Sequence, residues 1–175
     1  MFGKYLGHGG FCTVTELQAI KLKDGGKNDE ESEGGGVTQN RAFISANYLR
    51  NGEARYAIKK LTKDLYGTRP EQTFISGVID LMIEVKFLAV IRHPNIIKMR
   101  AIADTEPNSK DFFIVLDRLD ETLSKRVEVW KKEKGKGGIF KKTKEDENEF
   151  IHRLIVGMDI ASALKYLHDN NIVYR

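Results

Sequence analysis

The residues best suited to chemistry lie near the N-terminus, where positions 6–14 read Leu-Gly-His-Gly-Gly-Phe-Cys-Thr-Val. Gly7 and Gly9 have no Cβ, so the backbone can adopt φ values that other residues avoid and can approach a ligand closely. A turn of this composition directs several backbone N–H groups toward one point, which favours an anion such as phosphate. Taken alone, the stretch favours a plain hairpin turn, and a phosphate-binding loop is the functional alternative.

The residues after the glycines distinguish between kinds of phosphate loop. Positions 13–20 are rich in β-branched residues and predict a strand. A dinucleotide-binding loop would instead open a helix, and a Walker-type loop requires a Gly-Lys-Ser/Thr that is missing here. A glycine loop between two strands is expected to lie over phosphates as a lid.

A lysine and a glutamate further along could act on the same phosphates. Residues 53–61 alternate as a strand that places Ala57 and Lys59 on one face. Glu84 lies at the margin of the apolar stripe of a helix predicted over residues 74–91. A carboxylate in that position needs a cation or water, so we expect it to pair with Lys59. Taken singly, each side chain would by default be solvated.

Composition excludes several classes of protein. With 41% hydrophobic and 31% charged residues among 175, the chain has the balance of a globular protein. Its net charge of +4 comes from basic residues interleaved with acidic ones, so no nucleic-acid partner is expected. No apolar run approaches a membrane span, so no membrane partner is expected. One cysteine, Cys12, excludes an internal disulfide and is typical of a reducing compartment, here the cytoplasm. The scattered histidines predict no metal site.

The elements that must position these side chains follow from hydrophobic periodicity. We expect strands over 2–6, 13–21, 53–61, 96–103 and 112–116, and helices over 74–91, 122–132 and 148–170. Residues 112–116 form a continuous apolar run, which predicts a central strand.

Two segments of biased composition interrupt this order. Residues 24–47 are dominated by Gly, Asp, Glu, Ser and Asn at their start and predict a mobile insertion, because they bury too little apolar surface to offset the entropy of ordering. Residues 131–148 predict a second insertion, basic at first and acidic later. The chain is expected to divide into residues 1–118 and 119–175.

In this order the motifs resemble the protein kinase domain. Residues 6–14 are similar to its glycine-rich loop, Tyr56-Ala57-Ile58-Lys59 is similar to its Val-Ala-Ile-Lys strand, and Glu84 falls where its helix glutamate belongs. The other resembling stretches are 93–97 for the next turn and strand, 113–119 for the strand and hinge behind adenine, and 166–175 for the approach to the catalytic loop. The resemblance implies an α+β fold with a five-stranded antiparallel N-terminal lobe and one packed helix. The first helices of an incomplete C-terminal lobe follow.

The resemblance also implies ATP as the nucleotide and a protein hydroxyl as the acceptor, with Ser/Thr favoured over Tyr. Lys59 would neutralise the α- and β-phosphates and Glu84 would orient it, which makes these two the catalytic candidates. The remaining ATP-binding candidates are Leu6, Gly7, His8, Gly9, Gly10, Phe11, Cys12, Val14, Ala57, Leu116, Asp117 and Leu119. Of these, Leu6, Val14, Ala57 and Leu116 would enclose adenine, with Leu116 as gatekeeper, and backbone groups near Asp117 and Leu119 would bond its edge.

Three departures from the family pattern limit what the resemblance implies. Cys12 replaces the third glycine and is expected to stiffen the loop, and Tyr174 stands where histidine is commoner. The family's catalytic aspartate and Mg²⁺ ligands would follow Arg175, so the 175 residues alone are expected to transfer no phosphate. Two alternatives are a non-catalytic nucleotide-binding or scaffolding module of the pseudokinase kind and an unstable fragment.

Overall fold

A computed structural model describes residues 2–19, 42–134 and 144–173 of the chain. Its strands are β1 (Phe2–His8), β2 (Cys12–Leu17), β3 (Leu49–Arg50), β4 (Glu53–Ala54), β5 (Tyr56–Leu61), β6 (Met99–Ile102) and β7 (Ile114–Asp117). Five of them form one antiparallel sheet in the order β1-β2-β5-β7-β6, while β3 and β4 form a separate hairpin. The expected α+β class and five-stranded antiparallel sheet are therefore confirmed.

The first hairpin contains the glycine loop between β1 and β2, and the loop leads into a strand rather than a helix. This arrangement is the one predicted, and it excludes the dinucleotide-binding alternative. Strand β2 ends at Leu17, so the prediction of a strand reaching residue 21 is wrong at residues 18 and 19. Residues 20 and 21 lie outside the described part of the chain.

Strand β7 lies inside the sheet, between β5 and β6, as its apolar run predicts. Ile114, Val115 and Leu116 are all buried, so both faces of the strand are covered. It begins two residues later than predicted, although Phe112 is itself buried before the strand starts.

Cross-strand register assigns each side chain of the sheet to a face, because residues directly opposite each other point the same way. Val14 lies opposite Lys59, and Ala57 lies opposite Leu116. We call the surface that these four residues share the Lys59 face. Thr13 lies opposite Lys60, so this pair points to the other side of the sheet, which we call the outer face.

Helix α1 (Glu71–Val90) joins β5 to β6 in sequence and packs through buried Gly77, Leu81, Val85 and Leu88. It begins three residues before the prediction, because the N–H groups of Thr73 and Phe74 both donate to the carbonyl of Pro70. Proline is well suited to the start of a helix, since the N–H it lacks would have no partner within the helix. The apolar stripe expected along this helix thus faces the protein interior over most of its length.

Residues 42–47 correct the prediction of a mobile insertion through position 47. They include a helical turn at 42–46, and Ile44 is only 5% exposed. Ile44 packs on the outer face with Leu17, Tyr56, Ile58 and Val115. A single apolar side chain is enough to bind this turn to the sheet, although the polar average of the whole segment conceals it. Residues 24–41 of the predicted insertion lie outside the described part.

The prediction of one strand over 53–61 does not include the β3–β4 hairpin. In the structure this range is divided between β4 and β5. Asn51 and Gly52 form its two-residue turn, with φ of 53° and 81°. Positive φ at both positions is the requirement of a type I′ turn, and Asn-Gly is the dipeptide that adopts it most readily. The sequence therefore contains the signal for this turn.

The chain divides into two compact units. The first reaches Arg118 but leaves out Arg92–Ile96, which group with Leu119 and the residues after it. The division at 118 and 119 coincides with the boundary expected from the sequence, but the assignment of residues 92–96 to the first part is wrong. They belong to the second because the His93 and Tyr166 rings lie 5.1 Å apart and the Asn95 amide donates to the Asp159 carboxylate over 2.9 Å.

The second unit contains helices α2 (Leu123–Lys134) and α3 (Lys144–Asp169). The prediction of an insertion over 131–148 is thus wrong at both ends, where the helices continue, and residues 135–143 lie outside the described part. Several apolar side chains of α3 are exposed, including Leu154 at 51% and Met158 at 71%. Over the described residues, none of the helices combines the length and hydropathy needed to cross a membrane.

Candidate functional site

An ion pair joins the sheet to the helix packed against it. The Lys59 ammonium on β5 donates a hydrogen bond to the Glu84 carboxylate on α1, as the sequence predicts. Their side chains are 22% and 30% exposed, so both charges are partly withdrawn from water. Partial withdrawal strengthens the attraction relative to a fully hydrated surface pair. A cation held at a defined place on the sheet can receive an anionic ligand.

Packing of α1 against β5 determines where Glu84 meets Lys59. A Cβ built on Gly77 would lie 3.1 Å from the Phe11 side chain and 3.3 Å from those of Leu61 and Leu65. The absence of a side chain at Gly77 therefore lets the helix approach the glycine loop and the end of β5 closely. The ion pair lies two helical turns further along the same interface.

The glycine loop is held at its ends and open along its length. The Gly9 N–H donates to the Cys12 carbonyl over 2.8 Å, and the Thr62 N–H donates to the Phe11 carbonyl over 2.9 Å. Gly7, Gly9 and Gly10 do not adopt positive φ, so the turn does not use the backbone angles that glycine alone allows. A Cβ built on any of the three meets no atom within 4 Å. What the glycines provide is an unobstructed backbone that a ligand can approach.

Cys12 lies on the same side of β2 as Val14, two residues away, and is only 3% exposed. Burial raises the pKa of its thiol to about 11, and the nearby Lys59 ammonium acts in the opposite direction. The position that holds the third glycine in the family pattern is thus occupied by a neutral, enclosed thiol.

Cys12 is expected to resist alkylation in the folded chain. Only the thiolate reacts, and with a pKa of about 11 the thiolate fraction at pH 7.5 is about one in three thousand. Iodoacetamide should therefore modify the native chain at least about 100-fold more slowly than the urea-unfolded chain, as followed by mass spectrometry. Since Cys12 is the one cysteine, all the label reports on it. Native alkylation as fast as that of the unfolded chain would contradict the burial of Cys12.

The same shift gives a pH dependence of stability. The unfolded thiol loses its proton near pH 9.0, before the folded thiol does near 11, so the free energy of unfolding should decrease as the pH rises through this window.

The candidates for enclosing adenine come together on the Lys59 face in three of four cases. Val14 lies opposite Lys59, and buried Ala57 lies opposite buried Leu116. Leu6 is half-buried in β1, where the register with β2 shifts. These apolar side chains could contact a flat ring beside the lysine.

One other candidate is not brought to this face, and another lies outside the first unit. His8 lies opposite Thr13, so it belongs to the outer face and points away from Lys59. Leu119 lies in the second unit and is 63% exposed. The exposed Gly9 and Gly10 occupy the turn itself, between the two faces.

Hydrogen bonds already present at the end of β7 limit which backbone groups could contact the edge of an adenine. The Asp117 N–H donates to the Lys98 carbonyl over 3.1 Å, and the Arg118 N–H donates to the Arg55 carbonyl over 3.0 Å. These two N–H groups would have to break existing bonds in order to bind a ligand. Any adenine contact at this edge must therefore use other backbone groups, such as the Asp117 carbonyl.

Sequence reasoning missed the ion pairs around this edge. Arg100 donates two hydrogen bonds to the Asp117 carboxylate, at 2.7 and 2.8 Å, and this contact raises the pKa of the guanidinium. Arg118 lies 3.1 Å from both Glu16 and Glu53. The partners of Arg118 are distant from it in sequence, and no local pattern signals these ion pairs.

A cavity of about 610 Å³ opens on the outer face rather than beside Lys59. Its wall includes His8, Gly9 and Gly10 from the candidate set, but not Lys59 or Glu84. In the described part of the chain, no three His, Cys, Asp or Glu side chains are grouped as metal ligands.

Comparison of the chain with protein-family models, with curated proteins and with solved structures finds no match.

Proposed function

We propose that this chain is the ATP-binding part of a protein kinase that transfers the γ-phosphate of ATP to protein hydroxyls, serine or threonine more commonly than tyrosine. The observation that supports this best is the Lys59–Glu84 ion pair, with the glycine loop in the adjoining hairpin. Phosphoryl transfer depends mainly on positioning and on neutralising charge, and this pair is suited to both tasks.

The two charged side chains have different parts in the proposal. The Lys59 ammonium would contact the α- and β-phosphates, while Glu84 would hold the ammonium in place from the helix. Val14, next to the loop on β2, lies opposite Lys59. The lysine is therefore on the strand paired directly with the glycine hairpin. The unobstructed backbone at Gly7, Gly9 and Gly10 is consistent with a phosphate chain lying close to the loop.

The order of elements also favours the proposal. Strand β5 is followed directly in sequence by the turn Lys63–Leu65 and then by α1, which brings Glu84 back to the strand that bears Lys59. Ala57 and Leu116 form an apolar wall on the same face. ATP, when bound, supplies the phosphoryl group. This part of the chain would bind and orient it.

Glu84→Gln tests the orienting role. The amide keeps the size of the side chain and one acceptor oxygen but loses the charge that attracts Lys59. We expect the affinity for ATP, measured by isothermal titration calorimetry on the full chain, to fall about fivefold, which corresponds to a hydrogen bond of about 1 kcal/mol.

Glu71→Gln is the matched control, because Glu71 lies in the exposed first turn of the same helix. That variant should bind ATP as the unchanged chain does. If Glu84→Gln binds ATP as tightly as Glu71→Gln, Glu84 does not orient the lysine. If the unchanged chain binds no ATP, the proposed function is wrong.

A further inference from the structure

The cavity on the outer face has the size of a small-molecule site. Its volume of about 610 Å³ falls in the range of roughly 300–1,000 Å³ that ligand pockets occupy. Strands β1 and β2, the end of β5 and the turn after it form the wall. All of its lining residues lie in the first unit.

Register separates this cavity from the Lys59 face. Thr13 lies opposite both His8 and Lys60, and Thr15 lies opposite Tyr5, so these lining side chains point to one side of the sheet. Val14, between the two threonines, points to the other side with Lys59. A small ligand in the cavity would therefore not reach Lys59, and its binding does not depend on the proposed function.

The charge of the wall favours an anion. Three cationic side chains line it, from Lys60, Lys63 and Arg69, against the one carboxylate of Asp64. Arg69 pairs with Asp64 at 2.6 Å, so this carboxylate is neutralised by its neighbour. Lys63 adds a further positive charge to the wall, which favours an anionic ligand.

Hydroxyl groups add hydrogen-bond donors to the same wall. Thr13, Thr15 and Thr62 all line the cavity, together with the phenol of Tyr5. The Thr15 Oγ1 is shielded from solvent and has no hydrogen-bond partner among the described residues. A polar atom left in that state costs free energy. Rotation of the threonine side chain would direct its hydroxyl to an acceptor held in the cavity.

We propose that this cavity binds a small organic phosphate monoester. A phosphate monoester carries nearly two negative charges at neutral pH and three strong acceptor oxygens, which matches a cationic wall with several hydroxyl donors. Lys63 and Thr15 bind the phosphoryl group. The Tyr5 ring borders the space left for the organic part.

Titration of the full ¹⁵N-labelled chain with phenyl phosphate tests the proposal. Gly9, Gly10 and Thr15 line the cavity, so their backbone amide signals should shift together in a saturable way. Phenyl sulfate has nearly the same shape and one charge fewer, so it should bind at least fivefold more weakly. Equal affinity for the two compounds would overturn the assignment of a phosphate.

Two variants locate the site. Lys63→Met should weaken phenyl phosphate binding at least fivefold, and Thr15→Val, which replaces the hydroxyl by a methyl of similar size, should weaken it about fivefold while leaving the chain folded. Lys86→Met, on an exposed position of α1, is the control for loss of one charge. The proposal is overturned if neither variant differs from Lys86→Met, or if Lys59→Met abolishes binding, since the phosphate would then lie on the Lys59 face.

Discussion

Replacing Lys59 with methionine is expected to lower the affinity of the chain for ATP about 10- to 100-fold, because a hydrogen bond to a charged group contributes about 1.5–3 kcal/mol. Methionine retains an apolar stem of similar length, so the packing of β5 should survive the change. Glu84 loses its cation, but its side chain is 30% exposed and water can solvate the carboxylate. The free energy of unfolding should therefore change by less than about 1 kcal/mol.

Lys86→Met is the matched control for this experiment. It removes the same charge from an exposed position two residues beyond Glu84 on α1. Isothermal titration calorimetry with ATP and urea unfolding, run on both variants, separate loss of binding from loss of folding. If Lys59→Met binds ATP as tightly as Lys86→Met, Lys59 does not contact the phosphates, and the nucleotide site has to be sought elsewhere.

Gly77→Leu is expected to destabilise the first unit by about 1–3 kcal/mol, the usual effect of overpacking. The added side chain would enter the space between α1, Phe11 and the side chains of Leu61 and Leu65, where even a Cβ would lie within 3.3 Å of all three. Leucine is a better helix former than glycine by up to about 1 kcal/mol, which offsets part of this loss. Urea unfolding followed by circular dichroism measures the difference.

Ala89→Leu is the control on the same helix. It introduces the same side chain at an exposed position, so its stability should match that of the unchanged chain. Displacement of Phe11 by Gly77→Leu should also disturb the glycine loop, which is bonded through the Phe11 carbonyl to Thr62. An equal stability of the two variants would show that α1 does not pack on the loop as closely as the structure has it.

Local patterns in the sequence are sufficient for the central part of the candidate site. Alternation along β5 assigns Lys59 to one face, and the apolar stripe of α1 assigns Glu84 to its margin. Because the two elements are adjacent in sequence and bury the same interface, their charged side chains can be paired from the sequence. The continuous apolar run of β7 likewise indicates an interior strand.

Other features have a local signal that an average over the segment conceals. Ile44 is one buried residue at the end of a polar stretch, and the composition of the stretch as a whole predicts mobility. Asn51-Gly52 is a turn signal, but it lies directly before a longer run whose alternation predicts one strand. In both places a few residues outweigh the surrounding composition.

Only the tertiary structure decided the rest, because it depends on register and on contacts between distant residues. The irregular pairing of β1 with β2 puts His8 on the outer face, away from Lys59, and no count of alternating residues could reveal that shift. The N–H of Asp117 is occupied by Lys98, and Arg118 meets Glu16 and Glu53, through pairings that exist only once the strands are side by side. Periodicity extends over neighbouring residues, so the sequence by itself determined the main strands and helices and the Lys59–Glu84 pair. The outer cavity and the bonding of the sheet edge arise from how those elements pack.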